Sequence, residues 1–136
     1  LLKHGGAFEG IKEMLASLED DGIPYGIVTN KPLRFAEPIL INEPTFKNCK
    51  TLICPDHLDA IKPDPEGILR GCKDLGIHPT ECVYVGDHAK DIEAGINAGT
   101  EVIACYFGYS LKIGDCSEHI LGANHPNELY ELISKL

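Results

Sequence analysis

Val83-Tyr84-Val85-Gly86-Asp87-His88-Ala89-Lys90-Asp91-Ile92-Glu93-Ala94-Gly95-Ile96-Asn97-Ala98-Gly99 is the stretch on which the reading of this chain turns. Cys82 to Val85 is an apolar run of strand formers, Gly86-Asp87 breaks it, and about Lys90 to Ala98 reads as a helix closed by Gly99. Asp87 ends a buried strand and Asp91 follows four residues later, so both carboxylates can face one crevice at the strand's carboxyl edge. Hard oxygen ligands presented this way suit Mg²⁺, which commonly takes one or two protein carboxylates and completes its shell with water and substrate phosphate. The plainer role for Asp87 is helix capping without a metal. The small residues Ala94, Gly95, Ala98 and Gly99 predict a helix packed very close to its sheet, which fixes where the carboxylates point.

The same alternation extends in both directions. Downstream, Val102-Ile103-Ala104-Cys105 is a further strand, and Pro126 to Leu136 carries Leu129, Leu132, Ile133 and Leu136 at helical spacing. Upstream, Phe8, Ile11, Leu15 and Leu18 form a helical stripe stopped by Gly22. Then come a strand at Tyr25 to Thr29, a helix near Leu33 to Ile41 ended by Asn42-Glu43-Pro44, and a strand at Thr51 to Cys54. Lys62-Pro63-Asp64-Pro65 opens the next helix, with Asp64 as N-cap and Pro65 as first helical residue, and Gly76 ends it after Leu75. Near-continuous apolar strands alternating with helices predict an α/β fold: a doubly wound parallel sheet covered on both faces. Residues 108–124 are the least decided stretch.

The 136 residues suffice for one ordinary domain, and 43% hydrophobic with 24% charged content is globular. No run approaches the ~18 apolar residues of a spanning helix, so no membrane partner is expected. Twelve basic against 21 acidic residues, net −9, argues against nucleic acid as a partner, because that affinity rests on lysine and arginine neutralising phosphates. The six cysteines, Cys49, Cys54, Cys72, Cys82, Cys105 and Cys116, include no C-x-x-C pair and read as reduced, mostly buried thiols of a cytoplasmic protein. Cys54-Pro55-Asp56-His57 is the nearest thing to a thiol metal site and lacks a matching second pair. The start, Leu1-Leu2-Lys3-His4-Gly5-Gly6, has neither an initiator Met nor a signal-peptide layout, and is read as lying inside something longer.

In a doubly wound sheet, ligands collect past the carboxyl ends of the strands. Besides Asp87 and Asp91, two such places carry polar groups. Thr29-Asn30-Lys31 offers a hydroxyl and backbone N–H groups near a helix start, a geometry suited to an anion, and equally a strand-ending turn. Lys62, fixed between a loop and a rigid helix entry, is placed to neutralise a phosphate or a carboxylate, although a lysine before proline is commonly a solvated loop residue.

Thr29 after an apolar strand, Lys62 in Lys-Pro-Asp-Pro, and Gly86-Asp87-x-x-x-Asp91 followed by Ala-Gly-x-x-Ala-Gly resemble, in order and spacing, the second, third and fourth signature motifs of the haloacid dehalogenase superfamily. The texture around Ile27-Val28-Thr29-Asn30-Lys31-Pro32 and Lys62-Pro63-Asp64-Pro65 is most similar to its phosphoglycolate phosphatase group. The N-acetylmuramic acid 6-phosphate phosphatases come second, partly through Arg34-Phe35-Ala36-Glu37-Pro38. The resemblance implies a Mg²⁺-dependent phosphomonoesterase acting on a small phosphorylated metabolite through an aspartyl-phosphate. Thr29, helped by the Asn30 backbone, would hydrogen-bond the transferring phosphoryl oxygens, and Lys62 would balance their charge. Asp87 would bind Mg²⁺ directly and Asp91 would support that site. His88 is read as a residue of the site's edge.

The family's first motif, Asp-x-Asp-Gly-Thr, which carries the nucleophile and the acid–base group, does not occur in the 136 residues; Asp20-Asp21-Gly22 ends an amphipathic helix and does not match. The resemblance therefore implies that residues 1–136 are a single partial core domain. The cap domain and the first, central strand lie outside it, a deficit of about 70–90 residues on the scale of a small domain. The chain alone is expected to be inactive. That central strand would sit between the strands ending at Thr29 and Asp87, so these either pair directly or leave a gap filled from another chain, and the isolated chain is expected to self-associate or rearrange. A second reading, a non-catalytic binding or assembly module on the same scaffold, stands beside the enzymatic one.

Overall fold

A computed structural model of the chain describes residues 5–107, 111 and 120–136, with side chains from residue 10 onward. The elements run α1 (Gly5–Asp20), β1 (Ile27–Val28), α2 (Leu33–Asn42), β2 (Leu52–Ile53), α3 (Glu66–Leu75), β3 (Val83–Gly86), α4 (Ala89–Ala98), β4 (Glu101–Cys105), β5 (Leu121–Ala123) and α5 (Leu129–Ser134). All strand pairs are parallel. β1 pairs with β2, Ile27 opposite Leu52; β4 lies between β3 and β5, with Val83 opposite Glu101 and Ile103 opposite Leu121.

The strand alternation sorts side chains to two faces, as the apolar runs predict for a sheet covered on both sides. Ile103 and Cys105 of β4, with Val83 and Val85 of β3, face the helices α1 and α5, where Ile11, Met14, Leu15, Leu18 and Leu129 complete a core. Tyr84 faces the other way, toward Ile68 and Cys72 of α3 and Ala94 and Ala98 of α4. Val102 and Ala104 pack on that side with Ile92. Helix covers both faces, so the doubly wound α/β fold expected from the sequence is the one found.

The small residues act as expected, with one exception. A Cβ on Gly95 would lie 2.7 Å from Val102 Cγ2 and 3.3 Å from Tyr84 Cδ2, so α4 rests almost directly on the strands. Gly99 is needed for its conformation instead of its size. It is exposed, with nothing within 4 Å, and takes φ 82° to end the helix, its N–H bonding to the Gly95 and Ile96 carbonyls. Gly22 (φ 73°) and Gly76 (φ 71°) end α1 and α3 by the same left-handed turn.

Several boundaries move. The ladders of β1 and β2 are two residues long, although Lys50 N to Tyr25 O (2.9 Å) and Thr29 N to Ile53 O (3.0 Å) carry the pairing past both ends. Pro65 precedes α3 rather than starting it, and the Asp64 carboxylate caps by accepting from Glu66 N at 2.9 Å. The tail opens with a 3-10 turn at Pro126–Glu128; Leu129 is fully buried, whereas Leu136 is past the helix and exposed. β5 falls inside the stretch left undecided. The side chain of Phe8, and residues 108–110 and 112–119 with Cys116, lie outside the described residues. The five described cysteines are free thiols, Cys54, Cys72 and Cys105 buried and Cys49 and Cys82 partly so. No described helix is long and apolar enough to cross a membrane.

Among the described residues, β1 and β3 share no ladder, so the sheet is in two pieces, broken where the sequence reading places a further strand. Direct pairing, one of the two expected outcomes, does not occur. Ile27 N and Thr29 N both bond to β2, and backbone groups of successive residues in a parallel strand leave by opposite edges, so the Val28 carbonyl faces the break.

The tightness at Gly95 yields a prediction. Gly95→Val brings no helix-propensity gain large enough to offset the overlap with Val102, and unfolding by denaturant is expected to register a loss of about 2 kcal/mol. An unchanged midpoint would show that α4 does not rest on β3 and β4 as described.

Candidate active site at the strand ends

The break in the sheet is bridged by side chains centred on Lys62. Its Nζ donates to the Val28 carbonyl at 3.2 Å, to the Tyr84 hydroxyl at 3.2 Å and to Asp91 Oδ1 in a short ion pair. An ammonium has three protons, and three acceptors meet them here. The Tyr84 ring lies beneath the cation, 5.8 Å from Nζ to centroid, and its hydroxyl reaches the Val28 carbonyl at 3.5 Å. Lys62 therefore belongs to an interior network and is not the solvated loop residue that its place before a proline suggests.

The surrounding loop is held from several sides. Asn30 Nδ2 donates to the Lys62 carbonyl at 3.5 Å, Asn97 Nδ2 of α4 donates to the Pro63 carbonyl at 3.4 Å, and the Glu66 carboxylate accepts from Asp59 N and Ala60 N, both at 3.1 Å. The Lys62–Pro63 peptide is cis. Thr29, partly buried, follows Val28 directly; its Oγ1 accepts from Lys31 N at 3.1 Å and its N–H is spent on Ile53. The strand-ending turn is thus real, and it holds the hydroxyl one residue from the carbonyl that Lys62 grips.

Asp91 owes its position to Gly86. A Cβ there would meet Asp91 Cβ at 2.3 Å and Cγ at 2.9 Å, so only glycine lets the first turn of α4 lie against the end of β3. The carboxylate also sits in the first turn of α4, where the helix dipole favours a negative charge. Asp87 follows β3 immediately and is half-buried. The N-cap of α4 is His88, whose Nδ1 accepts from Lys90 N at 3.5 Å, so the cap falls to His88 where the sequence offered Asp87 for it.

Two neighbouring groups register the carboxylates. Burial, then the charges of Asp91 and Asp87 and a hydrogen bond with Asp91, push the Tyr84 phenol well above its ordinary value, so it stays a neutral hydroxyl. Burial first, and then Asp87 and Asp91, push the Cys105 thiol up to about 12. Both carboxylates therefore act on one place at the ends of β3 and β4. Among the described residues no three or more His, Cys, Asp or Glu side chains gather as a metal cage. Two hard carboxylate oxygens fit Mg²⁺, which needs only one or two from protein, and suit neither a structural zinc site nor a calcium cage. Cys54-Pro55-Asp56-His57 serves the fold: His57 Nδ1 accepts from Cys54 N at 3.1 Å, and Asp56 Oδ1 accepts from Leu33 N at 2.8 Å, capping α2.

Sequence reasoning singled out Thr29, Asn30, Lys62, Asp87 and Asp91, and the structure brings Asn30 and Asp91 into contact with Lys62, with Thr29 beside them. It missed Tyr84 and the Val28 carbonyl. The available signal was a phenol in the middle of an otherwise apolar strand, two residues before the glycine that admits Asp91.

The Lys62 and Asp91 side chains are only 10% and 11% exposed, so neither charge is well solvated without the other. Lys62→Met, which strands the carboxylate, is expected to lower unfolding stability by about 3 kcal/mol, and Lys62→Met/Asp91→Asn to recover much of that loss. Equal stability of the parent and Lys62→Met would contradict a buried pair.

The pattern of the haloacid dehalogenase-like hydrolases matches residues 2–105. The chain is 42% identical over 132 residues to an N-acetylmuramic acid 6-phosphate phosphatase of Pseudomonas aeruginosa, an alignment covering 94% of this chain and 58% of that relative. It is 41% identical over 108 residues to a phosphoglycolate phosphatase of Xanthomonas campestris, covering 79% of this chain and 48% of that one. The chain thus spans about half the length of the curated relatives it matches. A crystal structure of a protein described as a predicted phosphoglycolate phosphatase, from Haemophilus somnus, superposes with a TM-score of 0.80 at 27% identity, over 89% of this chain and 54% of that one. A HAD-superfamily hydrolase from Ehrlichia chaffeensis shares the fold at a TM-score of 0.78 and 23% identity, over 97% and 58% of the two chains. With the family pattern running from α1 to the end of β4 across the Thr29, Lys62 and Asp87–Asp91 segments, this chain belongs to the haloacid dehalogenase-like hydrolase family.

Proposed function

We propose that these residues are the carboxyl-terminal core of a Mg²⁺-dependent phosphomonoesterase acting on a small phosphate ester, phosphoglycolate or a sugar phosphate in kind. The observation that carries this reading is the meeting of Lys62 with Asp91 and the end of β1 at one sheet edge, in a chain whose matched relatives are named phosphatases. Phosphoryl transfer is catalysed mainly by positioning and by neutralising oxygen charge, and this chain has the parts for both. The Thr29 hydroxyl binds a phosphoryl oxygen, the Asn30 backbone assists, and the Lys62 ammonium offsets the dianion. Asp87 would hold Mg²⁺ with Asp91 in support, and the ion, when bound, supplies further charge neutralisation at the phosphoryl oxygens.

A nucleophile is also needed, and no Asp-x-Asp-Gly-Thr occurs in the 136 residues. The aspartyl-phosphate step then falls to an aspartate contributed from outside them. Release of phosphate from p-nitrophenyl phosphate tests the reading. The 136-residue chain alone is expected to give no Mg²⁺-dependent turnover. A protein in which this segment follows an Asp-x-Asp-Gly-Thr strand is expected to turn over with Mg²⁺ and to lose about 10²-fold or more on Asp87→Ala. Turnover by the 136 residues alone that Asp87→Ala abolishes, or hydrolysis indifferent to Mg²⁺, would count against the reading.

The broken sheet supports a second element of the proposal, self-association of the isolated segment through the facing edges of β1 and β3. Sedimentation of the 136-residue chain is expected to give a mass above 14.8 kDa that rises with concentration. A single monomeric species at all concentrations would remove this element and leave the enzymatic one intact.

A further inference from the structure

Pro32 leaves α2 without a cap of its own. It stands at the N-cap position with no side-chain oxygen to offer the first turn. Its carbonyl accepts from Phe35 N at 2.9 Å and from Ala36 N at 3.0 Å, whereas the N–H at the very start of the helix, that of Leu33, has no acceptor within it. That N–H is met from outside, by Asp56 Oδ1 at 2.8 Å, 23 positions along the chain.

The cap is itself held in place. Asp56 lies in the single turn Pro55–His57 just past β2, where Cys54 N donates to His57 Nδ1 at 3.1 Å and His57 N donates to the Cys54 carbonyl at 3.0 Å. Arg70 of α3 ties that turn down, its Nη1 donating to the His57 carbonyl at 2.6 Å. The hydrogen bond from Leu33 N, more than any other influence, holds the Asp56 carboxyl below the usual carboxylate range, so the cap is an anion.

Between β1 and α2 stand only Thr29, Asn30, Lys31 and Pro32. Thr29 N is fixed to the Ile53 carbonyl of β2 at 3.0 Å, and Leu33 N to Asp56 directly after that strand, so the turn 29–32 is pinned at both ends to one support. Inside the turn the Thr29 hydroxyl accepts from Lys31 N at 3.1 Å, and Pro32, with its ring-fixed φ of −56°, is the stiff link from Lys31 to Leu33. The place where α2 starts therefore sets the direction in which the Thr29 hydroxyl and the Asn30 N–H face. All of these contacts lie on the β2 side of β1, away from the edge that faces β3.

We propose that Asp56 is a positioning residue for phosphate: by holding the start of α2 against the end of β2, it fixes the turn 29–32 whose hydroxyl and backbone N–H receive a phosphoryl group. The phosphate half of this rests on the phosphatase reading; the clamp itself does not.

Asp56 is exposed, so a substitution there leaves the core intact. The test uses the natural protein that carries these residues, with Mg²⁺ present, inorganic phosphate as the probe, and denaturant unfolding measured beside it. Asp56→Ala is expected to lower the unfolding midpoint and to weaken phosphate binding about fivefold, the scale of a lost helix cap. Asp56→Asn keeps an oxygen acceptor while dropping the charge, and is expected to bind within about twofold of the parent. Thr29→Ala removes the hydroxyl that the clamp orients, and in that background Asp56→Ala is expected to cost less than about twofold. A lowered midpoint with parental phosphate binding marks an ordinary helix cap and overturns the proposal, leaving the phosphatase reading in place. Asp56→Asn as weak as Asp56→Ala, or equal losses from Asp56→Ala in both backgrounds, overturns it too, and an unchanged midpoint removes the clamp itself. Thr29→Ala and Lys62→Met both binding phosphate as tightly as the parent overturn the phosphatase reading, and the phosphate half with it.

Discussion

The ion pair between Lys62 and Asp91 is the contact around which the site is built. Neither partner is solvated enough to stand alone, and breaking such a pair leaves a charge in a poor environment. Each partner is delivered by a separate piece of local structure. Lys62 arrives on a loop held by Asn30, Asn97 and Glu66, and Asp91 arrives on the first turn of α4 because Gly86 has no side chain to exclude it. The pair thereby ties the β1–β2 piece of the sheet to the β3–β4–β5 piece at their carboxyl ends. A doubly wound sheet places its chemistry at that edge, so the same contact serves the fold and the site.

Much of this was legible in the amino-acid sequence, for identifiable reasons. The apolar runs at Cys82 to Val85 and Val102 to Cys105 are bounded by glycine and aspartate or by glycine and threonine, so strand, turn and helix follow from local rules, and Gly76 and Gly99 close their helices as expected. The Thr29, Lys62 and Asp87–Asp91 segments were found because each stands past a strand or at the entry to a helix. What stayed hidden depends on contacts between distant residues. That Asp56 caps α2 from 23 positions away, or that Tyr84 spans the break, has no signature in the neighbouring sequence. β5 was missed because Leu121-Gly122-Ala123 is short and holds no β-branched residue; it is a strand only because Ile103 and Cys105 lie beside it.

The break between β1 and β3 sharpens the meaning of the network. An edge carbonyl in a buried layer needs a donor, and at Val28 the donors are a lysine ammonium and a phenol instead of a neighbouring strand. The two pieces are thereby joined by polar side chains at one level and by α3 and α4 packing across Val28 and Tyr84 at another. The acidic balance of the chain gains a local meaning as well. Asp87 and Asp91 place two negative charges at the strand ends, where burial first and then these charges push the Cys105 thiol and the Tyr84 phenol up. On the proposed reading, a lysine held there would let a phosphate approach an otherwise repelling edge.

The proposed function turns on one event, the reception of an anion between Thr29 and Lys62 at the carboxyl ends of the strands. A crystal structure of the natural protein with Mg²⁺ and orthovanadate would show it or refute it. Vanadate oxygens are expected within hydrogen-bond distance of Thr29 Oγ1 and Lys62 Nζ, with the cation on Asp87. Vanadate bound away from the ends of β1 and β3, out of reach of Thr29 and Lys62, would mean that the crevice is not where phosphate is held.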